Sequence, residues 1–163
     1  MRRYALPALA ASAIAVIAIE VFADSSDPGA APAPRLPAEV LVGPRVTLAD
    51  LRGRPAAVNF WASWCEPCRR EAPALERLQR RLGGRAALVG VDYSDDPGSA
   101  RQMIRDLGLT YPNLRDGSGE VGDAYGLTGL PATAILDPQG RLLRLLRGPQ
   151  TAASVAGALR EAR

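Results

Sequence analysis

The sequence predicts an α/β fold with one central sheet flanked by helices, and three observations predict it. Two apolar runs rich in strand formers, 56–61 and 87–93, alternate with two amphipathic stretches, 65–82 and 97–107. A third apolar run, 132–136, enters Asp137-Pro138-Gln139-Gly140, which carries Asp, Pro and Gly where a type I turn takes them. The last stretch, 151–162, then sets Ala152, Val155, Ala156 and Leu159 on one helical face. A length of 163 residues gives room for one domain and a tail, and 47% apolar with 23% charged residues is ordinary for a soluble globular chain.

Taken in order, residues 1–23 read as an N-terminal signal peptide or membrane anchor. Arg2 and Arg3 precede the apolar run Ala5 to Ile19, which suits a signal peptide; extended to Phe22 across Glu20, it reaches about the length of a marginal membrane span. Val21-Phe22-Ala23 offers a cleavage site, and an anchor that leaves both arginines in the cytoplasm obeys the positive-inside rule. Either reading exports the domain. Residues 24–38, with Pro28, Pro32, Pro34 and Pro37 among alanines and serines, read as a Pro/Ala-rich linker.

The folded domain is expected over 39–163, with a short edge element around Val40 to Leu51. Ala56 to Trp61 reads as a buried strand, and a helix follows from about Cys65 to Leu82, closed by Gly83-Gly84. Ala87 to Tyr93 is the second core strand and Pro97 to Leu107 the second helix, stopped by Gly108. Tyr111 to Tyr125 looks irregular apart from a short helix at Glu120 to Tyr125. Ala132 to Leu136 and Arg141 to Arg147 form a hairpin, although the leucines of the second arm repeat every three residues instead of alternating.

Composition removes several function classes. There is no histidine and no lysine, so no imidazole serves as base or ligand, and two cysteines alone cannot fill a structural zinc site. No metal site is expected. Twenty arginines against 17 acids give a net charge of only +3, without a basic run and with 5% aromatics, which offers nucleic acid nothing specific.

Chemistry concentrates in Trp61-Ala62-Ser63-Trp64-Cys65-Glu66-Pro67-Cys68, which holds both cysteines. A thiol at a helix N-terminus feels unpaired N–H groups and the positive end of the helix dipole, so Cys65 is the expected attacking sulfur. Pro67 fits the first turn because it has no N–H to lose. Cys68 stands three residues on, within reach of a mixed disulfide at Cys65. A static structural disulfide is the plainer alternative, yet so small a loop stabilises little.

On a helical wheel Glu71 falls inside the apolar stripe of Ala72, Leu75, Leu78 and Leu82, while Arg69, Arg70, Glu76, Arg77, Arg80 and Arg81 cover the opposite side as a solvated face. Burial should raise the pKa of Glu71 and let it exchange a proton with Cys68. The alternative is an acid that favours the helix dipole while its head reaches water. Pro73 is expected to kink the helix on its polar side.

Asn59 to Pro73, with Gly126-Leu127-Thr128-Gly129-Leu130-Pro131-Ala132-Thr133, resembles the thioredoxin superfamily, and more narrowly the TlpA/ResA/CcmG-type thiol–disulfide oxidoreductases of bacteria. The resemblance implies a thioredoxin-like fold with a mixed sheet and a central insertion, a cis peptide bond before Pro131, and an acid at Glu71. By sequence alone Pro131 is an ordinary turn residue. It further implies that Trp64, Leu130 and Pro131 meet the substrate, the Leu130 backbone pairing with an extended segment, and that Trp61, Glu66 and Pro67 support the site. Asn59 departs from plain thioredoxin, which has a buried aspartate there, so any proton relay falls to Glu71.

The expected activity is dithiol–disulfide exchange with exported proteins. It needs no cofactor beyond the Cys65–Cys68 pair. Glu66 beside Cys65, with no histidine to stabilise a thiolate, argues for a reductant over a dithiol oxidase, although Arg69 and Arg70 pull the other way. By resemblance the substrate would be apocytochrome c or another exported thiol protein, and the electron donor a membrane thiol transporter. A copper(I) chaperone and a peroxiredoxin-type peroxidase are the competing classes.

Overall fold

The structure, a computed structural model, describes residues 31–163. The expected leader 1–23 and the start of the linker therefore lie outside the described residues. The chain forms one seven-stranded sheet: β1 (Ala31–Pro32), β2 (Glu39–Val42), β3 (Ala56–Trp61), β4 (Ala87–Tyr93), β5 (Asn113–Asp116), β6 (Ala132–Leu136) and β7 (Arg141–Arg147). Its order is β1-β7-β6-β3-β4-β5-β2. Five helices accompany it among the described residues: α1 (Leu48–Leu51), α2 (Glu66–Leu82), α3 (Pro97–Leu107), α4 (Glu120–Ala124) and α5 (Ala152–Glu161).

Strand β3 is flanked by β4 in parallel and β6 antiparallel, so it is buried along its whole length, which is why its sequence is a continuous run instead of an alternation. Ala57 and Trp61 face α2, α3 and α5; Ala56, Val58 and Phe60 face α1, α4 and the residues leading into β2. Helices α2 and α3 share a face because β3-α2-β4 and β4-α3-β5 are successive crossovers in one direction across parallel strands. Both α2 and α3 end on a left-handed glycine, Gly83 and Gly108. α2 also runs on through Pro73. The Asp137–Gly140 turn joins β6 to β7 as expected, with Gly140 N–H donating to Asp137 O at 3.0 Å. Thr151 caps α5 by accepting from Ser154 N–H at 3.0 Å.

Four readings need correction. Ala31 and Pro32, placed in the 24–38 linker, pair with Leu142 and Arg141, and Ala33 is buried, so the folded unit reaches back past Glu39. Proline is tolerated there because β1 is an edge strand. The single element expected over 40–51 is a strand and a separate helix, the latter begun by Asp50, whose carboxylate accepts from Thr47 N–H at 2.8 Å and Thr47 Oγ at 2.6 Å. Strand β5 went unforeseen: Asn113-Leu114-Arg115-Asp116 has one apolar residue, and it is a strand because β4 and β2 supply partners on both sides. With α3 and α4, β5 fills the segment between β4 and β6 where the resemblance implied an insertion.

The fourth correction is Glu76, read as part of the solvated face of α2 but buried to 5% exposure. Its carboxylate accepts from Thr110 N–H and Thr110 Oγ, both at 2.8 Å, and from Arg80 Nε at 3.0 Å. Burial pushes its pKa up, and these bonds outweigh that and leave it lowered. It thereby anchors the turn after α3 to α2. Glu76→Ala is expected to cost about 2–3 kcal/mol, because charge-assisted bonds are lost and Thr110 N–H is left without an acceptor. Denaturant melts at pH 7 check this, and since the folded pKa is lowered, the difference should shrink as pH falls through it.

Candidate active site

The parallel and antiparallel neighbours of β3 bring its C-terminal end, the turn into α2, and the segment before β6 to one edge of the sheet, since Phe60 pairs with Ala132. Cys65 occupies the N-cap of α2, with Pro67 in the first turn, and Cys65 Sγ accepts from Cys68 N–H at 3.2 Å. The two sulfurs are joined as a disulfide at 2.03 Å. Both cysteines are nearly covered, at 5% and 1% exposure, while Trp64 beside them is 62% exposed, the most open large apolar side chain among the described residues. A sulfur anion formed at Cys65 would meet the free N–H groups and positive dipole end of α2.

Glu71 lies one turn further along and is buried, as its place in the apolar stripe requires. Asn59 Nδ2 donates to its Oε1 at 2.8 Å and Gln150 N–H donates to its Oε2 at 2.7 Å. Asn59 Nδ2 also donates to Thr133 Oγ1 at 3.1 Å, so the amide links β3 and β6 to the acid of α2. Burial raises the Glu71 pKa, opposed by the bonds from Gln150 and Asn59. The result is an acid whose pKa lies above the ordinary carboxylate value and whose ionised form is still held in place by two donors. Gln150 was invisible to sequence reasoning, because nothing local says that the turn before α5 folds over α2.

The Leu130–Pro131 peptide bond is cis, as the resemblance implied, and Pro131 O accepts from Gly148 N–H at 2.9 Å. The β3–β6 ladder stops at Ala132, so the backbone of Leu130 lies beyond it. Trp61 is buried, and its Nε1–H donates to Asn113 Oδ1 at 2.9 Å over Gly90, where a Cβ would overlap that oxygen. Glu66 is exposed and pairs loosely with Arg70 at 3.4 Å.

Sequence reasoning also missed the clamp on the turn before Cys65. Asp95, just after β4, accepts from Ser63 N–H through Oδ2 and from Ser63 Oγ through Oδ1 at 2.9 Å. Trp64 Nε1–H reaches Ser94 O at 3.4 Å. The doublet Asp95-Asp96 was the available signal; Asp96 proves to cap α3, accepting from Ser99 N–H at 2.8 Å, while Asp95 turns to Ser63.

Comparison with known proteins follows the same lines. The AhpC/TSA family matches residues 30–144. The chain is 29% identical over 120 residues to the thiol-disulfide oxidoreductase ResA of Bacillus subtilis, covering 73% of this chain and 67% of that protein. It is 35% identical over 122 residues to the thioredoxin-like protein YneN of the same organism, covering 73% and 71%. Among solved structures, a DsbF homologue from Corynebacterium diphtheriae superposes with a TM-score of 0.73 at 26% identity, over 83% of this chain and 89% of that one.

Proposed function

From the membership of this chain in the AhpC/TSA family, as a thiol–disulfide oxidoreductase with a thioredoxin-like fold, we propose that it works as a reductant of exported protein disulfides. One observation carries the direction: the Cys65–Cys68 pair is surrounded by acids. Glu66 follows Cys65 in the chain, Glu71 is buried one turn beyond Cys68, and Asp95 holds Ser63. Negative charge disfavours the Cys65 thiolate and so favours the disulfide, which lowers the reduction potential. Of the two cations that act oppositely, Arg69 and Arg70, the second is turned onto Glu66.

The reaction balances as a two-electron transfer. The Cys65 thiolate attacks a substrate disulfide, one substrate sulfur leaves as thiolate, and a mixed disulfide forms at Cys65. Cys68 loses its proton to Glu71 and attacks Cys65 Sγ, releasing the second substrate sulfur and leaving the Cys65–Cys68 disulfide. Leu130, beyond the β3–β6 ladder, is the position for an extended substrate segment, with Pro131 ordering it and exposed Trp64 covering it. The disulfide is the only electron carrier this scheme uses. Trp61 and Pro67 shape the turn that presents it.

The 1–23 leader supports a place outside the cytoplasmic membrane, and the resemblance supports apocytochrome c as a substrate and a membrane thiol transporter as the electron donor. The test is the reduction potential of the pair, by equilibration with dithiol and glutathione buffers. A value near about −270 mV or below is expected, and one near about −120 mV would overturn the direction. Turnover of hydrogen peroxide without a protein substrate would overturn the reading itself.

A further inference from the structure

Among the described residues, Asp92 is the one carboxylate with no exposed surface that the exchange reaction leaves unused. It is the last residue but one of β4, in register with Trp61 of β3 and Arg115 of β5, and has 0% exposure. Neither of its oxygens has a hydrogen-bond partner. An ionised carboxylate in such a place is costly, whereas a protonated one needs only an acceptor. The acceptor at hand is Asp95, whose charge and hydrogen-bonding both favour a proton on Asp92.

We propose that Asp92 is a positioning residue for disulfide exchange: as a neutral acid it donates to Asp95 and steadies the carboxylate that clamps Ser63, two residues ahead of Cys65. When Asp92 ionises, two carboxylates confront each other and the clamp on Ser63 loosens. The groups that face Asp92 fix the sign of this response. Asp95 from the loop and Asp116 from β5 repel its ionised form, with Arg115 as the opposing cation. Arg115 is itself engaged by Glu39 of β2 at 3.0 Å and by Asp95 O at 3.3 Å. Trp61 offers no charge, and Asp96 is turned to Ser99 as the α3 cap. Burial, then Asp95, push the Asp92 pKa up to about 8.

Few other groups titrate in this range, because the chain has no histidine or lysine and the oxidised cysteines do not ionise, and the α-amino group is common to wild type and variant. The experiment follows reduction of the oxidised full chain by dithiothreitol from pH 6 to 9.5, for wild type and Asp92→Asn, with the Ser63 amide resonance recorded over the same range. The ratio of wild-type to variant rate cancels ionisation of the reagent. It is expected to be level below about pH 7 and to fall at least threefold above pH 8, with the Ser63 resonance moving at the same midpoint in wild type alone. A flat ratio would overturn the proposal, while reduction at any pH would leave the oxidoreductase reading standing. A falling ratio with a stationary Ser63 resonance would overturn the clamp as well. If Asp92→Asn does not fold, the wild-type rate divided by that of a small linear disulfide carries the same prediction.

Discussion

Cys65→Ser is expected to lower disulfide reduction at least about a thousandfold, down to the spontaneous reaction of the remaining thiol, while leaving the fold intact. The second half of this expectation comes from the cap. Cys65 Sγ accepts Cys68 N–H at 3.2 Å, and a serine hydroxyl is among the best acceptors for that position, so α2 keeps its first turn. Losing the disulfide costs little stability, because the closed loop spans a sequence separation of three. Cys68→Ser should behave differently: attack at Cys65 remains, resolution does not, and a mixed disulfide with the protein substrate accumulates. Non-reducing electrophoresis followed by mass spectrometry checks both, and equal activity of the two variants would refute the assignment of Cys65 as attacker.

Glu71→Gln should slow the resolving step by about a hundredfold, the lower part of the range for a positioned proton acceptor, and flatten its pH dependence. The carboxylate accepts from Asn59 and from Gln150, so an amide must turn one N–H₂ toward a donor. Rotation of the Asn59 amide relieves this by offering Oδ1, at the expense of its bond to Thr133. The site therefore tolerates the change sterically while losing its proton acceptor. The sign of the stability effect follows from the raised pKa. Folding favours the protonated acid, so the contribution of Glu71 is full below its unfolded pKa and is lost as pH rises through the folded value. Stopped-flow turnover with pH, alongside urea melts at pH 4 and 8, separates catalysis from stability; an unchanged turnover profile would remove Glu71 from the mechanism.

Most of the sheet was legible because its central strands are buried on both faces and must be apolar throughout, as in 56–61 and 87–93. Glu71 was legible for the opposite reason, as an acid where the wheel demanded an apolar residue. Glu76 misled because wheel position records angle alone, whereas its burial comes from Thr110, more than thirty residues away in sequence. β5 was hidden by its polar residues, which are satisfied only once β2 and β4 flank them. Asp92 and Asp95 share that difficulty. An acid at the end of an apolar strand reads as the point where the strand meets water, and only the descent of α3 onto the sheet makes it an interior group.

The short stretch 31–42 touches both outer edges of the sheet, β7 through Ala31–Pro32 and β5 through Glu39–Val42, and between them Pro34 O is held by Tyr125 Oη at 2.8 Å. It acts as a belt, with consequences for mechanics. A pull applied ahead of residue 31 would reach β1 first, and β1 can part from its neighbour by peeling, one hydrogen bond at a time, before load passes to the buckle at Tyr125 and on to β2. Strand β3, which leads to Cys65, is the fourth strand counted from the peeled edge. The belt would thus yield at a strand remote from the one that leads to the redox centre.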